Sequence, residues 1–440
     1  MPDTIEMKIP KRITAALLNS ITAGVTPRLG IEHIAVGRKR EIETLLADLD
    51  NIGEGGSVFR FIVGRYGSGK SFLLQIIRQY ATDRGYIVAD ADLSPERKLI
   101  GGNNGGLATY RELLRTMSSK VRPDGGALTA LLEKWIDNIR VSLLAGGADE
   151  AELPPLVEKK IMLDISQTEG FVHGYDFSKV LQAYWRGFNL NDDNLKSSAM
   201  KWLRGEYAVK SEAVAALGVR SIVTDDSWFD YIKLLSAFIR ILGCKGLIVL
   251  LDEGVNLYKI SNTVSRNNNY EKLLNMFNDA MQGKASGLGV YMCGTPQFVE
   301  DMRRGLFSYE ALRTRLAGSR FIKGGRVDMQ GPLIYLEKLT HEEMFVLLQR
   351  VAQLHAYHNG CEQKLGEAEL IAFMQLVANR LGADELLTPR EVLRDFTSIL
   401  NVLFQNPGEN FEELIGGDIL KKVTEQPDEA DGGEAVEYNL

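Results

Sequence analysis

The stretch Gly64-Arg65-Tyr66-Gly67-Ser68-Gly69-Lys70-Ser71 matches G-x-x-x-x-G-K-[ST] at every fixed position, and its reading decides the fold. The run before it, Val58-Phe59-Arg60-Phe61-Ile62-Val63, predicts a short β-strand. The run after it, Phe72 to Arg78, has apolar positions suited to a packed helix. Strand, glycine loop and helix form the context in which the pattern carries meaning. Glycines let the loop curl without Cβ clashes, so that successive N–H groups and the next helix's N-terminus point at one anionic centre. The expected occupant of that centre is a nucleotide's phosphates; the plainer alternative is a strand-to-helix turn that happens to be glycine-rich. The expected contact set is Gly64 to Ser71 with Phe72 beside it; Lys70 adds a point charge on the β and γ phosphates and the Ser71 hydroxyl helps hold Mg²⁺.

A second stretch answers the first. Gly246-Leu247-Ile248-Val249-Leu250-Leu251-Asp252-Glu253 is a continuous apolar run, the signature of a strand buried on both faces of a parallel sheet. Its two carboxylates emerge at the carboxyl end, where open α/β sheets bind ligands. Asp252 is expected in the Mg²⁺ shell, directly or through water, and Glu253 is expected to polarise the attacking water. Gly289 to Thr295 predicts the next buried strand, with Thr295 placed to sense a γ-phosphate or to position water.

The 440 residues carry a net charge of -7, with 45% hydrophobic and 25% charged residues, which is ordinary globular composition for two or three domains. A mildly acidic total argues against whole-surface attraction to nucleic acid while leaving room for a local basic patch. No run is long and apolar enough for a signal peptide or a membrane span, so a cytoplasmic protein is expected. Cys244, Cys293 and Cys361 are too far apart for a zinc cluster or a disulfide framework, and the first two lie in apolar runs that suit core positions. His355 and His358 are the closest approach to a metal-ligand pair; on an amphipathic helix that spacing more often marks a surface.

Taken in order, residues up to about Gly24 predict a helix packed on the nucleotide domain. Val36-Gly37-Arg38 then opens a helix from Lys39 to about Leu49, as a base-pocket wall or as a plain connecting turn. Tyr86 to Ala91 predicts a strand. Between Leu93 and Leu242 helical patterns dominate, and all four tryptophans fall there at helical spacings that suit core packing. Ser261 to Asn269 reads as a polar, solvated loop before a helix from Tyr270 to Met281. Arg303 to Arg326 is the densest basic segment: Arg303, Arg304, Arg313, Arg315, Arg320, Lys323 and Arg326 against the single acid Glu310. It suits an arginine finger, a phosphate-binding surface or a solvated face. From Leu333 the pattern is helical, with a capping box at Thr340 and Glu343 and an N-cap at Thr388 before Pro389. Residues 425–440 hold six acids and no base, and predict a disordered tail.

The order of these parts resembles the AAA+ ATPases, particularly the initiator and helicase-loader branch. The resemblance rests on Val36-Gly37-Arg38, the glycine loop, Leu251-Asp252-Glu253, Thr295, Leu312-Arg313-Thr314-Arg315-Leu316 and Thr388-Pro389-Arg390. It implies an α/β P-loop fold, a parallel sheet flanked by helices, with a large helical insertion and a C-terminal helical lid. It also implies that Val36, Gly37 and Arg38 contact adenine, that Arg315 (or its neighbour Arg313) is a trans-acting arginine, and that Arg390 is a second sensor. The implied domains are 1–92 and 243–332 for the nucleotide domain, 93–242 for the insertion, 333–424 for the lid and 425–440 for the tail.

The chain also resembles the BrxD-like ATP-binding proteins of BREX phage-defence systems, over more of its length. The supporting stretches are Pro27-Arg28-Leu29-Gly30, Tyr184-Trp185-Arg186-Gly187, Lys201-Trp202-Leu203-Arg204-Gly205-Glu206, Asp252 to Tyr258 and Gly294-Thr295-Pro296-Gln297-Phe298. This resemblance implies a defence ATPase that uses ATP and Mg²⁺ and acts as a homo-oligomer with DNA and a helicase or another defence protein. No winged-helix segment follows Phe404, unlike in DNA-binding initiators. A nucleotide-gated scaffold, in which ATP binding rather than hydrolysis controls partner contact, is the alternative reading.

Overall fold

In the computed structural model, residues 9–168, 170–318, 328–363, 365–378 and 388–416 are described. Arg320, Lys323, Arg326 and the acidic tail at 425–440 lie outside them. The chain divides into two compact units, Arg38–Lys338 and a second made of Met1–Gly37 with Leu339–Leu440.

The larger unit is built on a parallel sheet of five strands: β1 (Val58–Val63), β2 (Ile87–Asp92), β3 (Leu247–Asp252), β4 (Leu288–Gly294) and β5 (Leu333–Tyr335), in the order β2-β3-β4-β1-β5. β1 and β4 are buried along their whole length, as predominantly apolar strands are when both sheet faces are covered. Strand alternation sorts the side chains. Phe59, Phe61, Val249, Leu251, Val290 and Met292 join the core that holds the Trp228–Ile241 and Thr263–Met281 helices. Ile62, Ile248, Leu250, Tyr291 and Cys293 face the other way, into the core of the Lys39–Gly53 and Lys70–Asp83 helices. Arg60 is the one charge in β1; its guanidinium meets Asp48 at 2.9 and 2.6 Å and also donates to the carbonyls of Gln330 and Gly331, just before β5. The outer edge of β2 is covered by an antiparallel bridge from Val88 to Ser118.

Between β2 and β3 the chain is helical, as expected, with the helices Gly105–Thr116, Ala127–Ala145, Gly174–Asn189, Asp193–Leu203 and Trp228–Ile241 joined by two the sequence reading lacked, Leu153–Ser166 and Lys210–Leu217. Trp135, Trp185, Trp202 and Trp228 are all buried, so the aromatic spacing marks core.

Three expectations are corrected in this unit. The polar loop at Ser261–Asn269 is instead the start of the Thr263–Met281 helix, capped by Asn262, whose side chain accepts from Ser265 N at 2.9 Å. Its asparagines misled because Asn269 and Arg266 are buried rather than solvated: Asn269 Oδ1 accepts from Leu99 N at 2.9 Å and Ile100 N at 3.1 Å, and its amide donates to Ile100 O at 2.9 Å. Arg303 and Arg304 do not form a wholly solvated face either, because Arg304 reaches the carbonyls of Tyr258 and Ile260. Finally, Leu333–Tyr335 is an edge strand and not the start of a helical pattern; three residues are too few to display an alternation.

In the second unit the Lys11–Thr22 helix packs against the His341–Asn359 and Pro389–Gln405 helices through Leu17, Leu18 and Ile21. Thr340 with Glu343 and Thr388 with Glu391 each close a full capping box. His355 is buried rather than on a surface, with Nε2 3.0 Å from Asn401 Oδ1, and burial holds its pKa below the usual value; His358 Nδ1 instead meets Thr14 Oγ1 at 2.9 Å. The two rings therefore serve different contacts, and no His/Cys/Asp/Glu group with metal-ligand geometry occurs among the described residues. Cys293 is buried, Cys244 half-buried and Cys361 exposed. No helix among the described residues is long and apolar enough to cross a membrane.

Candidate functional site

The glycine loop leaves the carboxyl end of β1 and is tied at once to β4, with Gly64 N donating to Gly294 O at 3.0 Å. Ser68 N closes back on Arg65 O at 3.1 Å, and Gly69, in the left-handed region at φ 88°, caps the Lys70–Asp83 helix. A side chain at that φ would be strained, which is why the loop needs glycine there. Lys70 Nζ curls over the loop and donates to Gly64 O and Arg65 O, each at 2.9 Å. Burial pulls the Lys70 pKa below its ordinary value, and the fields of Cys293, Asp252 and Glu253 oppose that pull. Arg65 and Tyr66 point to solvent, Tyr66 with 81% exposure, while Ser68 is buried and Phe72 half-buried.

Ser71 begins the next layer. Its Oγ donates to Asp252 Oδ2 at 2.6 Å, and Asp252 Oδ1 takes Glu253 N at 2.7 Å. A hydroxyl and a carboxylate side by side are hard oxygen donors of the kind Mg²⁺ takes. Because the hydroxyl proton is committed to Asp252, the lone pairs of the Ser71 oxygen stay available to a cation, and the donor set fits the ion. Glu253 has φ 56°, a left-handed conformation that a non-glycine residue adopts only when its surroundings impose it. The imposition is visible: Gly254 N is held by Cys293 O at 3.0 Å and Asn256 N by Glu253 O at 2.9 Å. Burial, then the neighbouring Asp252 charge, raises the Glu253 pKa above the usual carboxylate value. Beneath the loop, burial pushes the Cys293 thiol well up, so it stays a neutral filler.

The remaining expected residues are distributed as follows. Thr295 follows β4 directly and caps the Pro296–Glu300 helix, accepting from Phe298 N at 3.2 Å. Arg315 is exposed on the short Glu310–Leu316 helix, its Nε donating to Asn278 Oδ1 at 2.8 Å; Arg313 lies 3.8 Å from Glu310. Arg38 is buried in the larger unit. Val36, Gly37 and Arg390 belong to the other unit, where Arg390 reaches Thr26 at 3.4 Å. At Gly37, φ is 70° and an added Cβ would come within 2.5 Å of the Glu343 carboxyl group. The structure therefore brings Lys70, Ser71, Asp252, Glu253 and Thr295 to one edge of the sheet, the carboxyl ends of β1, β3 and β4.

Two supports were not legible in advance. Asn256 Nδ2 holds Leu93 O at 2.8 Å, pinning the exit of β2 to the segment after Glu253. Arg266 and Arg304 both donate to Ile260 O, fixing the end of the Val255–Tyr258 helix. Asn256 was marked in the sequence by its nearness to Asp252 and Glu253, whereas Arg266 stood in a stretch that reads as a polar loop and Arg304 in the basic segment.

Against known families, the model described as BREX system ATP-binding protein BrxC/D matches residues 9–418, a span that takes in the glycine loop, the helical region and the C-terminal helices. No curated protein matches the chain.

Proposed function

The chain belongs to the BREX system ATP-binding protein BrxC/D family, a component of phage defence that binds ATP, and on that footing we propose that it is an AAA+ ATPase. In this reading it hydrolyses ATP to drive assembly or loading of a partner, a helicase or another defence protein, on DNA. The observation that carries the proposal is the 2.6 Å hydrogen bond from Ser71 Oγ to Asp252 Oδ2, with Glu253 as the very next residue. It joins a phosphate cradle to a carboxylate pair at a sheet edge, and one of those carboxylates is spare.

Lys70 is placed to leave the Gly64 and Arg65 carbonyls for the β and γ phosphates, because an arriving anion compensates the desolvation that burial imposes on its ammonium. Glu253 takes the proton of the attacking water; its raised pKa makes it a better base than an ordinary carboxylate. Thr295 and Asp252 orient, the first by its place at the end of β4 and the second by holding Ser71. Mg²⁺, when bound at Ser71 and Asp252, neutralises charge on the phosphate oxygens. Arg315 as trans-acting arginine, Arg390 as second sensor and the C-terminal helices as a lid follow from the family resemblance, and a homo-oligomer follows with them.

Lys70→Ala and Glu253→Gln separate the proposal from its rival. Both variants losing phage protection, with Glu253→Gln still binding ATP, supports hydrolysis as the working step. If Lys70→Ala abolishes protection and Glu253→Gln preserves it, ATP binding alone gates partner contact.

A further inference from the structure

Arg38 is buried, at 6% exposure, and both terminal nitrogens of its guanidinium find partners within the larger unit. One nitrogen, Nη2, donates to Ser68 O at 2.9 Å and to Glu337 O at 2.7 Å; the other, Nη1, lies 3.4 Å from Glu41 Oε1. The residue thus grips the backbone of the glycine loop itself.

The gripped carbonyl belongs to the Ser68–Gly69 peptide. A trans peptide is planar, with its C=O and N–H on opposite sides, so whatever fixes Ser68 O fixes the direction of Gly69 N–H. That plane has little else to hold it: Gly69 sits at φ 88° with open space around its Cα, an added Cβ meeting only Phe72 at 3.9 Å. Glycine passes between both signs of φ at little cost, so an unanchored peptide there would flip. A flipped peptide would aim a carbonyl at the anion in place of a donor. Two other loop carbonyls, Gly64 O and Arg65 O, are held by Lys70, which is needed elsewhere once phosphate arrives. Arg38 is not.

We propose that Arg38 is a positioning residue of the phosphate cradle, which locks the Ser68–Gly69 peptide so that Gly69 N–H faces the polyphosphate, and that it acts without regard to the base. The inference rests on the reading of this loop as the nucleotide site. It differs from an adenine-contact role in what it forbids: a clamp on the cradle weakens every ligand with a polyphosphate chain equally.

The test measures calorimetric affinities of the full chain for ATP, GTP and inorganic tripolyphosphate, in wild type, Arg38→Ala and Arg38→Lys, with melting curves of each. Loss of a charge-assisted hydrogen bond predicts a roughly ten- to hundredfold weakening, of similar size for all three ligands in Arg38→Ala. Arg38→Lys keeps the charge, but its shorter side chain ends in a single nitrogen and lacks the planar fork that meets Ser68 O, Glu337 O and the Glu41 carboxylate together. It reads the effect even if the alanine variant does not fold, and its expected loss is again uniform. Loss confined to ATP, or no loss in either folded variant, overturns the proposal while leaving the nucleotide site standing. A wild-type chain that binds none of the three overturns the site and the proposal together.

Discussion

Ser71 Oγ donates to Asp252 Oδ2 at 2.6 Å across 181 positions of sequence, joining the start of the helix after β1 to the end of β3. The contact orients the hydroxyl, and the first prediction follows from it. In Ser71→Ala, ATP affinity in Mg²⁺ is expected to fall to the value measured in EDTA, while wild type keeps a gap between the two. Titration calorimetry with and without the ion decides it; a surviving Mg²⁺-dependent gain in the variant removes Ser71 from the ion's shell.

Glu253 links stability to pH with a definite sign. Burial and Asp252 raise its pKa, so the folded chain holds that proton more tightly than the unfolded chain does. Its contribution therefore favours folding below the ordinary carboxyl range and is lost as pH rises through the raised folded value. Glu253→Gln should melt higher than wild type at pH 8, with the difference closing as pH falls toward the ordinary carboxyl range. In turnover, the acid limb of kcat/KM should lie above that range. Equal melting curves across the whole series would contradict the raised value.

The Arg60–Asp48 pair is buried on both sides, at 8% and 6% exposure. Asp48→Ala strands a buried guanidinium, and breaking such a pair from one side costs about 3–5 kcal/mol. Arg60 also holds the carbonyls of Gln330 and Gly331, so protection of the β5 amides against hydrogen exchange should fall along with global stability. A denaturation midpoint unmoved by Asp48→Ala would show that the pair does not hold β5.

Arg315 rests on Asn278 and on its own helix at Ala311 O, both exposed contacts of small energetic weight. An arginine held so lightly is free to serve a neighbouring copy. Arg315→Ala is expected to bind ATP like wild type and to lose turnover. Mixing it with Glu253→Gln should restore part of the activity, because an intact site on one chain then meets an intact arginine on the other. Two inactive chains that stay inactive when mixed at saturating concentration would exclude a trans role.

Much of the sheet was legible from the sequence, because strands buried on both faces read as predominantly apolar runs, and β1, β3 and β4 do, with Arg60 the one charge inside β1 and Asp252 closing β3. The capping box at Thr340 and the N-cap at Thr388 were legible for a similar reason, since the partners stand a few residues apart and local spacing brings them together; that Glu391 completes a second box at Thr388 came from the structure. β5 was not legible, since a three-residue edge strand takes its conformation from pairing with β1. The Thr263–Met281 helix start was misread because asparagine favours loops, while Asn269 is held in the helix by the Leu99–Ile100 backbone it serves.

The glycine loop and the Asp252-Glu253 pair could be identified from residue types and spacing, because phosphate binding demands a backbone curve and a nearby cation that few sequences supply. What each side chain of the site does was decided by the tertiary structure. Arg38 beside Val36 and Gly37 suits a base contact on paper. Folding brings the backbone of Ser68 and Glu337 within reach of its guanidinium and buries it there. Backbone carbonyls leave no mark in the sequence, so a role that consists of holding two of them becomes visible only when the chain has closed around the arginine.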